Sequence, residues 1–111
     1  IRLFTVQRAT SGEPQSALQG SWQVCAPETV KDFSATAYYF GRELSRHLGV
    51  PIGLLHSSWG GTPVEAWIAP QDLREEPGAR ALLAKWEERI AADAKQGGSP
   101  HAPARLYNAM I

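Results

Sequence analysis

The sequence holds a single cysteine, Cys25, so no disulfide can form within it. A lone thiol leaves the compartment open, because it can stay buried or pair outside these residues. An excess of charge of either sign is also missing: eleven basic and eleven acidic residues cancel. A neutral balance offers no electrostatic reason to expect nucleic acid or an anionic membrane as partner. No apolar run approaches the roughly 18 residues that a membrane-crossing helix needs. No Cys/His or His/Asp/Glu set has metal-ligand spacing, so no metal is expected. Internal repeats, low-complexity tracts and a domain boundary are absent as well. What remains is an ordinary globular composition, 43% apolar and 20% charged, in 111 residues. That length allows one small domain, whose core buries roughly two thirds of the unfolded surface.

Taken in order, residues 1–6 (IRLFTV) read as a strand, from their β-branched and aromatic content. Residues 7–20 carry Gly12, Pro14 and Gly20 and read as a surface loop. Residues 21–26 (SWQVCA) suit a short strand closed by Pro27. A helix follows over residues 32–48. Phe33, Ala37, Phe40, Leu44 and Leu48 recur on one face, Asp32 or Ser34 can cap it, and Gly49 before Val50-Pro51 stops it. Gly41 inside that helix costs about 1 kcal/mol against Ala, which points to close packing on a sheet. Residues 50–55 then form an apolar run without alternation, expected to be a strand covered on both faces. Helix followed by buried strand is half of a βαβ unit, which residues 1–6 or 22–26 would complete. Pro70 is read as a break and residues 71–78 as polar connection. Residues 79–96 read as a second amphipathic helix with a Leu83, Trp86, Ile90 stripe. The chain opens directly in a strand-like run and closes on RLYNAMI without a terminator, so an internal fragment of a longer domain is expected over residues 1–111.

Chemistry concentrates at residues 56–62, HSSWGGT, where a strand ends in a glycine-rich turn. Ligands of α/β proteins bind outside the carboxyl ends of strands. Ser58 with Gly60 two positions on resembles a nucleophile elbow, but His56 stands where the usual Gly-x-Ser-x-Gly pattern has its first glycine. The alternative for Ser58 is a turn hydroxyl bonded to nearby backbone. Gly60 and Gly61 let the backbone approach a ligand closely. If Thr62 or Pro63 opens a helix, its free N–H groups add a positive field. Such donors stabilise a developing oxyanion; a tight turn needing positive φ explains the same residues equally well. No Gly-Lys-Ser/Thr follows, which argues against a Walker-type phosphate loop. His47 near a helix C-terminus and His101 in a loop have ordinary explanations, whereas His56 is better placed for base chemistry. Glu65 can brace the turn or bind a substrate hydroxyl. Trp59 and Trp67 can pack or stack on a sugar face.

Residues 33–67, FSATAYYFGRELSRHLGVPIGLLHSSWGGTPVEAW, resemble the sialate O-acetylesterase family, a carbohydrate-esterase branch of the SGNH hydrolases. The closing LYNAMI and, more loosely, residues 22–27 resemble it too. The match covers well over half of the chain, and SSWGGTPVEAW is its specific part. The resemblance implies a three-layer α/β/α fold with a central parallel sheet, hydrolysis of acetyl esters on sugars, and no metal or organic cofactor. It implies an acetylated sugar as partner and a secreted or periplasmic setting, with a homo-oligomer allowed. A serine nucleophile and a histidine held by an aspartate would share the triad roles. The family's Gly-Gln-Ser-Asn, its Asn-bearing block and its Asp-x-x-His do not occur in these residues. Its second block matches Trp59-Gly60-Gly61-Thr62, whose glycine lends an N–H to the oxyanion hole; Gly61 is preferred slightly over Gly60. Trp59, Thr62, Glu65 and Trp67 are the substrate-side candidates. Family members often carry Asn at the position of His56. The 111 residues alone are expected to be inactive. Two rival expectations are a non-catalytic carbohydrate-binding or assembly module on the same scaffold, and an excerpt that dimerises to cover open sheet edges.

Overall fold

The computed structural model describes residues 1–92 and 94–111, Ala94 by its backbone only. The chain divides into two compact units. One comprises Ile1–Gln7 and Gln19–Ser58, the other Arg8–Leu18 and Trp59–Ile111.

In the first unit, strands β1 (Arg2–Thr5), β2 (Trp22–Val24) and β3 (Gly53–His56) form a three-stranded sheet in the order β2-β1-β3. β1 and β3 run parallel, and β2 is antiparallel to β1. Parallel neighbours need a crossover. It is made by a single turn, α1 (Pro27–Val30), and the helix α2 (Ala35–Leu48). The expected βαβ unit is therefore present, with residues 1–6 supplying its first strand. The sheet is mixed rather than purely parallel, because β2 folds back along the outer edge of β1.

Helix α2 begins where Ser34 Oγ accepts the Ala37 N–H at 3.3 Å. It ends at Gly49, whose φ of +64° is the left-handed stop that glycine takes without strain. Its buried face differs from the expected stripe. Ala37, Tyr38, Gly41 and Leu44 turn inward, whereas Phe40 is 64% and Leu48 61% exposed. The reason lies at Gly41. A Cβ there would sit 2.6 Å from Leu54 Cδ2, so the helix approaches β3 along its side-chain-free face. Leu3, Phe33 and Leu54 form the core beneath it, with Ile1, Cys25, Val30 and Ile52 around them.

Cross-strand partners share a face. Leu3 pairs with Leu54 on the face under α2, while Phe4 pairs with both Trp22 and Leu55 on the other. That second face is open: Trp22 is 52%, Val24 58% and Leu55 64% exposed. β3 is thus covered on one face only among the described residues, against the expectation from its unbroken apolar run.

The second unit is helical. A 3₁₀ turn (Val64–Trp67) precedes α3 (Pro70–Glu75), a second such turn (Pro77–Ala79), α4 (Arg80–Ala92), a third (Ala94–Gly98) and α5 (Arg105–Met110). The helix expected to open at Thr62 or Pro63 is only that first turn. Ile68 and Ala69 return to extended backbone, as the residue before a proline prefers. Pro70, read as a break, instead starts α3, because a missing N–H costs nothing at a first helical position. The helix expected over residues 79–96 is α4 plus a 3₁₀ turn; Asp93, inside that span, lies outside the described residues. Trp86 is buried and Leu83 and Ile90 are half-buried, as their spacing predicts. Leu73, Ala79 and Ala104 form the core, with Ile68 and Leu83 against it. The loop of residues 8–18 is tied to α5 by the Ser11 N–H to Arg105 O (3.1 Å) and Gln15 N–H to Asn108 O (2.8 Å) bonds.

Replacing a mid-helix glycine by alanine ordinarily stabilises by about 1 kcal/mol. At Gly41 the sign should reverse. Gly41→Ala is expected to destabilise by about 1–3 kcal/mol through overpacking on Leu54, read as a lower denaturant midpoint.

Candidate functional site

The stretch of residues 50–67 is divided between the units at Ser58 and Trp59. Each side is built by its own neighbours.

On the first unit's side, β3 delivers His56 to the carboxyl end of the sheet, opposite Thr5 of β1. His56 Nε2 and Ser58 Oγ are 2.7 Å apart, and the imidazole meets the Phe33 ring edge-on at 5.5 Å between centroids. A cleft of about 360 Å³ opens at this end, lined by Thr5, Gln23, Glu28, Thr29, Asp32 and Phe33. The Glu28 and Asp32 carboxylates and the Gln23 amide make it a lining that accepts hydrogen bonds from hydroxyl-rich ligands. His47 takes the ordinary role expected of it: its Nδ1–H donates to Glu43 O at 2.8 Å in the last turns of α2.

On the second unit's side, the glycine turn is held by one hydroxyl. Thr62 Oγ1 donates to Trp59 O at 2.6 Å and accepts from Trp67 Nε1–H at 2.9 Å. Trp59, Thr62 and Trp67 are thereby brought together. Arg8 lies over the Trp59 ring at 5.6 Å, a cation–π contact. Gly61 has φ +79°, a conformation that side chains resist. Its carbonyl accepts from His101 Nε2–H at 3.1 Å. With that carbonyl held, the N–H groups of Gly60 and Gly61 bond to no described residue, and a Cβ built on either glycine would meet nothing within 4 Å. Both glycines are exposed. Glu65 braces the turn through its backbone: its carbonyl accepts the Ala104 N–H at 2.9 Å. Its half-buried carboxylate has no partner among the described residues.

His101 and Arg8 are the contributions that sequence reasoning missed. His101 lies 40 positions from Gly61 and Arg8 comes far ahead of Trp59 in the chain, so no local pattern marks either. Among the described residues, no group of three His, Cys, Asp or Glu is placed to hold a metal ion.

This mixed α/β scaffold, with its glycine turn, is similar to part of a carbohydrate acetylesterase. A solved carbohydrate acetylesterase from Xanthomonas citri superposes on 99% of this chain with TM-score 0.74 and 33% identity. The chain is, more closely, a sequence relative of the sialate O-acetylesterases. It is 42% identical to the Homo sapiens sialate O-acetylesterase over 73% of its own length, and 35% identical to that of Rattus norvegicus over 67%. It spans 14% and 15% of those two proteins and 21% of the solved chain. No family model matches it.

Removing the Thr62 hydroxyl would leave a half-buried carbonyl and an indole N–H unpaired. Thr62→Val is expected to lower unfolding free energy by about 2 kcal/mol, whereas Thr62→Ser, which keeps the oxygen, should stay within about 0.5 kcal/mol. Chemical denaturation followed by tryptophan fluorescence measures both.

Proposed function

We propose that these residues are the oxyanion-hole segment of a serine carbohydrate O-acetylesterase. The observation that carries this reading is the pair of exposed, unengaged N–H groups at Gly60 and Gly61, on a turn whose Gly61 carbonyl is tied away by His101. Hydrolysis of an acetyl ester begins when a serine attacks the carbonyl carbon and its oxygen becomes an anion. Backbone donors fixed in advance stabilise that charge without reorganising, and one donor is typically worth about 3 kcal/mol of barrier. Gly61 is favoured as the principal donor, because its positive φ is what the turn demands of a glycine. Collapse of the intermediate expels the sugar hydroxyl, and water then releases acetate from the serine ester.

The nucleophile and the His–Asp pair belong to Gly-Gln-Ser-Asn and Asp-x-x-His motifs, which these 111 residues do not contain. In the three-layer α/β/α fold proposed for the whole domain, a second helical layer covers the open face of Phe4, Trp22, Val24 and Leu55. Among the substrate-side candidates, Thr62 and Trp67 serve the turn itself. The Glu65 carboxylate, without a partner among the described residues, remains as the group for sugar contact. Half-burial of both indoles, and their engagement by Arg8 and Thr62, favour packing over the rival reading of a sugar-stacking binding module.

In the full-length protein, Gly61→Ala keeps the N–H but cannot hold a φ of +79° without strain, so the donor is displaced. The kcat toward an O-acetylated sugar should fall by up to about 10²–10³-fold, the worth of a lost donor, while circular dichroism stays unchanged. The 111-residue chain alone should release no 4-nitrophenol from 4-nitrophenyl acetate above the buffer rate. Enzyme-like turnover by that chain would overturn the division of the site described here.

A further inference from the structure

At the carboxyl end of β3, His56 Nε2 and Ser58 Oγ lie 2.7 Å apart, which is the spacing of a nucleophile and its base. The other side of the ring argues against that role. His56 Nδ1 is buried and meets no hydrogen-bond partner among the described residues. In a serine–histidine pair that works as a base, Nδ1 carries a proton and gives it to an orienting carboxylate, leaving Nε2 bare to accept from the serine. Here that Nδ1–H would be buried with no acceptor. Orphaned buried N–H groups are rarer than under-used acceptors. A bare Nδ1 puts the proton on Nε2 instead, and the bond then runs from the ring to the hydroxyl. Ser58 is exposed and has no other partner, so its own O–H proton is left over. His56 and Ser58 do not line the cleft of about 360 Å³ at this end of the sheet, but two of its lining residues adjoin His56: Thr5, its register partner, and Phe33, its ring contact.

We propose that His56 Nε2–H donates to Ser58 Oγ, and that Ser58 in turn presents its O–H to an acceptor oxygen of a bound O-acetylated sugar. Ser58 is then a substrate-positioning residue and not a nucleophile, and His56 is the group that aims it. The ligand part rests on the esterase reading above; the direction of the His56–Ser58 bond does not.

Two measurements on the full-length protein test this. The first is the tautomer of His56, read from ring ¹⁵N shifts of a histidine-labelled sample and assigned by difference against His56→Gln. The Nε2–H form is expected, and the Nδ1–H form would overturn the proposal whatever the protein hydrolyses. The second is steady-state kinetics on glucose pentaacetate and on 4-nitrophenyl acetate, which lacks the sugar. Ser58→Ala should raise KM for the sugar ester by about tenfold, the worth of one hydrogen bond, with kcat within about threefold. Its kinetics on 4-nitrophenyl acetate should match the wild type. His56→Gln keeps an N–H donor near the Nε2 position and should behave like wild type. His56→Leu should behave like Ser58→Ala, and the double variant no worse than either, as for two members of one interaction. An unchanged KM in Ser58→Ala, or a kcat loss of about 10²-fold or more in His56→Gln as for a lost general base, would refute the assignment. A wild-type protein inert toward both esters would instead overturn the esterase reading, and with it the ligand role of Ser58, while the tautomer still decides the direction of the bond.

Discussion

Helix α2 rests on strand β3 at Gly41, where a methyl group would come within 2.6 Å of Leu54. That contact sets the first unit. It fixes which face of α2 is buried, brings Leu54 onto Leu3 and Phe33, and holds β3 parallel to β1. With the register fixed, Thr5 and His56 stand side by side at the carboxyl end of the sheet. The carboxyl end of the strand is therefore placed by a contact well inside the core, between a residue without a side chain and a branched one.

The second unit solves a different problem, how to keep two peptide N–H groups unpaired and exposed. A flexible glycine pair would satisfy its amides internally or average over many conformations. Here the Thr62 hydroxyl ties Trp59 O to the Trp67 indole, His101 takes the Gly61 carbonyl, and Ala104 N–H takes the Glu65 carbonyl. These three ties hold the backbone around the glycines, which is what keeps a turn of two glycines in one conformation.

Trp22, Val24 and Leu55 leave apolar surface uncovered in a chain that spans 14% of the Homo sapiens protein it matches. The unbroken apolar run at residues 50–55 reads as a strand buried on both faces. One of those faces is met by α2. Among the described residues the other face stays open, so the burial that this apolar run predicts is met on one side only.

The sequence by itself determined the α/β class, the order of strand, helix and strand, the caps of α2 at Ser34 and Gly49, and the kinship carried by SSWGGTPVEAW. Those are local matters of hydrophobic period, turn chemistry and motif, which operate over a few residues. It misjudged the stripe of α2, since Phe40 and Leu48 have the right spacing and yet face outward; the helix turns to bring Gly41, not its largest side chains, against the sheet. It misjudged Pro70, whose meaning as break or start depends on the backbone around it. Only the tertiary structure shows what surrounds the glycine turn and Ser58: His101 holds the Gly61 carbonyl, and His56 Nδ1 is buried without a hydrogen-bond partner among the described residues. Both are consequences of long-range packing, which no spacing along the chain records.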